Sequence, residues 1–104
     1  MILYIEDIEY LGRAVTRQIC RGLRKQVAWH SYPVDPTGYD MAVLDWQPYG
    51  PEMVRRCVAA KVPFIVYTAF PPGVDRSLLP PGTRVLDKGE PISGLLEVIK
   101  EMVG

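Results

Sequence analysis

The chain of 104 residues has no excess of charge of either sign: twelve lysines and arginines stand against twelve aspartates and glutamates. That balance leaves no electrostatic footprint for DNA, RNA or an anionic membrane, so a nucleic-acid or membrane-surface role is disfavoured. Cysteine is scarce. Cys20 and Cys57, the only two, fall in helix-like segments without metal-ligand spacing and read as reduced core thiols. No apolar run approaches the roughly 18 residues of a membrane span. The N-terminus lacks the basic start and longer apolar run of a signal peptide. Internal repeats, low-complexity tracts and linkers are absent. The single histidine, His30, sits in a strand-like run and reads as structural or surface. A cytoplasmic protein is expected.

What the chain does have is the composition and size of one ordinary domain, expected over residues 1–104, with a modest core. Short apolar runs alternate with segments of helical period, the pattern of a parallel sheet covered on both faces. Strands are predicted at Ile2 to Ile5, Gln26 to Tyr32, Met41 to Leu44, Phe64 to Thr68 and Thr83 to Leu86. Ile8, Leu11, Val15 and Ile19 recur at three- and four-residue spacing, so a helix is predicted from Ile8 to about Lys25. A second is predicted from Pro51 to about Lys61, with Pro51 in its first turn. Ile92, Leu95, Leu96, Ile99 and Val103 trace one face of a closing helix. Two connections are lean in helix-forming residues. Pro33 to Asp40 holds two prolines and Gly38, enough for a turn or two of helix at most. Phe70 to Gly82 holds Pro71, Pro72, Pro80 and Pro81, which restricts it to a short helix around Val74 to Leu79.

In an open parallel sheet, ligands collect at the carboxyl ends of the strands. The first strand ends in Glu6-Asp7, the third in Asp45, the fourth in Thr68 and the fifth in Asp87-Lys88. Taken singly, each has a plainer explanation: a helix cap or turn for Asp45, dipole complementarity for Glu6-Asp7, a β-branched strand end for Thr68, a solvated charge for Lys88. Their joint placement at one edge points elsewhere. Three carboxylates together repel unless a cation relieves them. Mg²⁺ suits a site with a few carboxylates, a carbonyl and several retained waters. A metal beside a lysine and a free carboxylate is the equipment of phosphoryl transfer, with one carboxylate attacking in line. Thr68 can donate its hydroxyl to a phosphoryl oxygen and Lys88 can pair with another.

The stretches Ile2-Leu3-Tyr4-Ile5-Glu6-Asp7, Tyr39-Asp40-Met41-Ala42-Val43-Leu44-Asp45, Val62-Pro63-Phe64-Ile65-Val66-Tyr67-Thr68-Ala69 and Val85-Leu86-Asp87-Lys88 resemble the receiver domains of two-component response regulators. The similarity runs from Ile2 to Val103. It implies a flavodoxin-like, doubly wound α/β fold with five parallel strands in the order 2-1-3-4-5, here with shortened second and fourth helices. It implies Asp45 as phosphoacceptor, Mg²⁺ held by Glu6, Asp7, Asp45 and the backbone carbonyl of Gln47, and phosphoryl oxygens bound by Thr68 and Lys88 beside a small Ala69. The implied partner is a histidine kinase or histidine phosphotransferase, and the implied role is signalling by protein contact rather than conventional enzyme turnover.

The departures bear on output. Gly89 stands where receivers usually have proline after the lysine, and Val85 stands where a strand-five aromatic usually reports phosphorylation. These features are similar to a group of small free-standing receivers common in alphaproteobacteria, which also lack that aromatic. A non-phosphorylated pseudo-receiver, acting purely as a protein-interaction domain, is the alternative that Val85 and Gly89 favour. A hydrolase of the phosphatase type shares the aspartate and Mg²⁺ logic, but the chain is too short for a substrate-covering cap.

Overall fold

The computed structural model describes residues 1–104. Its elements run β1 (Ile2–Ile5), α1 (Glu9–Leu23), β2 (Val27–His30), β3 (Met41–Leu44), α2 (Gly50–Ala60), β4 (Phe64–Thr68), two 3₁₀ turns (Pro71–Gly73 and Arg76–Leu78), β5 (Val85–Asp87) and α3 (Ile92–Val103). The five strands are all parallel and lie in the order β2-β1-β3-β4-β5. This is the fold class and strand order that the sequence predicts. No helix is long and apolar enough to cross a membrane.

Strand alternation sorts the core into two layers. Ile2 and Tyr4 of β1, Met41 and Val43 of β3, and Ile65 and Tyr67 of β4 meet Val15 and Ile19 of α1 and Leu95, Val98 and Ile99 of α3. Leu3, Ile5, Ala42, Leu44 and Val66 face the other way, against Met53, Val54 and Cys57 of α2. All four residues of β1 and of β3 are buried, as expected of central strands covered on both faces. Trp46 joins the second layer, so its ring is a packing element turned away from the acidic edge, as alternation predicts.

The two faces are unequally covered, and here the structure goes further than the sequence suggests. The two helices expected to be short do not form as α-helices at all. The link from β2 to β3 is an irregular loop in which Asp35 accepts hydrogen bonds from the Thr37 amide and hydroxyl. The link from β4 to β5 contains only the two 3₁₀ turns, and Val74, expected to be helical, is extended between them. Proline pairs at both ends leave too few consecutive donors for α-helix. β5 is displaced from the predicted Thr83 to Leu86 because Thr83 closes a turn: its amide and hydroxyl both donate to the Pro80 carbonyl, at 3.2 and 2.7 Å. β2 is likewise trimmed at both ends.

One close approach ties α1 to the sheet. A Cβ on Gly12 would lie 2.7 Å from Cζ2 of Trp29 and closer still to other indole atoms, so only glycine admits the ring. The indole Nε1 then donates to the backbone carbonyl of Glu6 at 2.8 Å. Gly12→Ala should therefore cost about 1–3 kcal/mol through overpacking and displace Trp29. Urea unfolding followed by tryptophan fluorescence checks this; an unchanged midpoint would mean the helix shifts freely.

Candidate phosphoryl-transfer site

The parallel ladders continue one step beyond the strands. The amide of Glu6 donates to the His30 carbonyl (3.1 Å), that of Asp45 to Ile5 (3.0 Å) and that of Lys88 to Thr68 (2.8 Å). The backbones of the three charged residues are thus fixed by the sheet although the residues lie past its end. This rigidity matters because short-range charge interactions depend steeply on position.

Lys88 lies between two carboxylates. Its ammonium donates to Glu6 Oε1 and, at 3.0 Å, to Asp45 Oδ1. Glu6 is fully buried. Its Oε1 also accepts from the Tyr4 hydroxyl at 3.1 Å, and its Oε2 accepts from the Ile8 amide at 3.3 Å. Asp7 is exposed next to it. One ligand oxygen from each of Glu6, Asp7 and Asp45 lies within 4.8 Å of the others. Three carboxylates against one ammonium leave the cluster two negative charges in excess, which is the donor set and the charge that a hard divalent cation fits. The structure thus brings together Glu6, Asp7, Asp45 and Lys88. Gln47 and Ala69 are exposed in the turns that follow β3 and β4.

Titration reflects this crowding. Burial raises the Asp45 carboxyl to about 6; Lys88 opposes the shift, and Glu6 and Asp7 add to it. For Lys88, burial pulls the ammonium down, but its hydrogen bonds to Glu6 and Asp45 outweigh that and the net shift is upward. Both shifts are upward, so the aspartate is driven toward its neutral form, by burial first, while the lysine is held in its charged form. Lys88 has two anions to itself, whereas Asp45 shares one cation and faces two more carboxylates. The Tyr4 phenol is pushed far above its ordinary range, first by burial and then by Glu6.

Thr68 ends β4 almost fully buried, and its Oγ1 accepts a hydrogen bond from the Phe70 amide at 3.2 Å. With its lone pair used there, the hydroxyl proton remains available to donate. Two supporting residues escaped sequence reading as parts of the site: Trp29, which holds the Glu6 carbonyl, and Tyr4. A two-residue spacing along the strand puts Tyr4 on the same face as Glu6, and that was the available signal.

No family profile matches the sequence, and no curated protein matches it. Solved structures do. A response regulator receiver domain (CheY-like) from Methylobacillus flagellatus superimposes with a TM-score of 0.74 at 16% identity, covering 97% of this chain and 96% of its own. A response regulator from Thermotoga maritima gives 0.73 at 13% identity, with 98% and 95% covered. The BeF3-activated conformation of SdrG from Pseudomonas melonis Fr1 gives 0.71 at 22% identity, with 99% and 95% covered. The chain has the receiver fold. The receiver likeness spans nearly the whole chain, and it is a likeness of fold; what the acidic edge does rests on its own geometry.

That geometry makes a pH prediction for the metal-free protein. A carboxyl raised in the folded state gives stability that is complete below its unfolded value near 4 and lost as pH rises through about 6. Asp45→Asn does not titrate, so it should be more stable than wild type above pH 7, by on the order of 2 kcal/mol. The gap should close below pH 4. Denaturant melts of both proteins in chelator across pH 4 to 8 measure it; a constant difference would contradict the burial effect.

Proposed function

We propose that the chain is a phosphoacceptor signalling module that takes a phosphoryl group from a phosphohistidine onto Asp45. The observation that carries this reading is the Lys88 ammonium held 3.0 Å from Asp45 inside a cluster of three carboxylates at the end of a receiver-type sheet. In the transfer, the P–N bond of the phosphohistidine breaks and a bond from an Asp45 carboxylate oxygen to phosphorus forms, leaving the partner's imidazole to take up a proton. Glu6, Asp7 and Asp45, with the Gln47 carbonyl, would hold Mg²⁺, which when bound neutralises charge on the transferring oxygens. Lys88 pairs with one phosphoryl oxygen as Asp45 gives up its own charge. Thr68 donates its hydroxyl to another. Ala69, with no side chain beyond Cβ, leaves the approach open. The partner is a histidine kinase or histidine phosphotransferase, and the chain promotes only its own phosphorylation and dephosphorylation. The pseudo-receiver alternative keeps two specific supports, Val85 and Gly89.

Incubation with labelled acetyl phosphate distinguishes the two readings. Wild type should incorporate label only with Mg²⁺, and Asp45→Asn, which removes the nucleophilic oxygen, should incorporate none. Labelling of that variant would place the acceptor elsewhere. A wild type that stays unlabelled would establish the pseudo-receiver.

Output has a separate route from the usual aromatic switch, because Val85 is small and stiff at χ1. Thr68 Oγ1 instead holds the Phe70 amide. Beyond it, Val74 is buried in the second core layer and Leu79 packs against that layer. The loop is therefore better anchored than its prolines suggest, and its first turn, Phe70–Gly73, carries a Phe70 that is 66% exposed. Drawing Thr68 toward a phosphoryl group should order this turn. Hydrogen exchange at Phe70, Gly73 and Val74 should slow several-fold with beryllofluoride and Mg²⁺. Protection confined to α1 would move the output face there.

A further inference from the structure

We propose that Tyr4 is a positioning residue for phosphoryl transfer: its hydroxyl fixes the Glu6 carboxylate, which in turn holds Lys88 against Asp45. The inference rests on Asp45 as acceptor. It starts from an anomaly in β1. Ile2, Leu3 and Ile5 are the aliphatic residues a doubly covered strand calls for, yet the fourth position is a tyrosine with no solvent exposure. A phenol at that depth needs a partner for its O–H. Its partner is Glu6 Oε1, the same oxygen that accepts from Lys88. Glu6 is itself fully buried, so the orientation of its carboxylate is set by Tyr4, Lys88 and the Ile8 amide alone.

The surroundings show why orientation needs fixing. On the α1/α3 side, Tyr4, Glu6, Tyr67 and Lys88, with Val15 and Ile92, line a cleft of about 240 Å³. The cleft opens beside Glu6 and the lysine stem, and the phenol hydroxyl is the one neutral donor that holds Oε1 in addition to Lys88 itself. Lys88 must also serve two states, first pairing with the Asp45 carboxylate and then with a phosphoryl oxygen. An ammonium held from behind by Glu6 keeps its place through that exchange.

Tyr4→Phe removes one oxygen and keeps the ring. The expected result is loss of the slowly exchanging Lys88 ammonium resonance in ¹⁵N NMR. The rate of labelling by acetyl phosphate at saturating Mg²⁺ should fall about tenfold, the order expected for a lost hydrogen bond to a charged group. Because Glu6 would also hold Mg²⁺, the loss must persist when Mg²⁺ is raised well beyond its half-effect concentration in the variant; a rate restored by extra Mg²⁺ overturns the proposal. Since Tyr4 acts through Glu6, Tyr4→Phe combined with Glu6→Gln should be no slower than Glu6→Gln alone. A Tyr4→Phe protein that is merely less stable, with resonance and rate intact, overturns the proposal, and so does multiplication of the two rate losses. Should Tyr4→Phe fail to fold, Glu6→Gln must lose the Lys88 resonance in metal-free protein; keeping it overturns the proposal. If wild type takes no label, the acceptor reading fails while the Lys88 resonance still decides the role of Tyr4.

Discussion

The ammonium of Lys88, shared between Glu6 and Asp45, is the interaction around which the end of the sheet is organised. It joins the residues after β1, β3 and β5, separated by 43 and 82 positions in sequence. Without it, buried Glu6 would be an unpaired charge, a deficit worth several kcal/mol. With it the cluster is still two negative charges in excess. A stable fold can carry that excess because backbone ladder bonds fix the charged residues and because Asp7 opens to water. The same excess is what a hard divalent cation would relieve.

The layer alternation divides the work between the two faces of the sheet. Tyr4, Glu6, Asp45, Tyr67 and Lys88 share the parity of the side covered by α1 and α3. Thr68 shares the parity of Leu44 and Val66 on the other side, where a single helix and two loops supply the cover. The charged residues thus stand on the face covered by two helices. The hydroxyl that would report a change stands over the leaner one.

Most of this was legible in the sequence, and for identifiable reasons. β1, β3 and β4 were found to the residue because buried parallel strands are continuous apolar runs bounded by polar residues. The convergence of Glu6, Asp7, Asp45 and Lys88 was legible because strand ends in such a sheet meet at one edge. What stayed hidden depends on long-range partners. Nothing local in Thr83 says that its hydroxyl will close a turn on Pro80 and delay β5. Nothing in Pro33 to Asp40 separates a turn of helix from none, since proline limits helix without specifying what replaces it. The role of Tyr4 stayed hidden because a strand's apolar pattern does not register one oxygen, and the lysine that shares its Glu6 partner follows β5.

The missing helices follow from the same economy. A helix between β4 and β5 would add a third layer segment over Thr68 and Val85, and a strand-five aromatic would have a wall to turn against. Here neither is present: Val85 is half-buried against the second layer, and the chain crosses by way of Val74, one buried side chain between two 3₁₀ turns. Local stability scales with the apolar contact a segment makes. A connection held at Val74 and at the Thr68–Phe70 hydrogen bond leaves two mostly exposed stretches, Phe70–Gly73 and Asp75–Leu78. With three helices in the fold, the hydrogen bond from the Phe70 amide to the Thr68 hydroxyl is what ties the end of β4 to the exposed Phe70 ring.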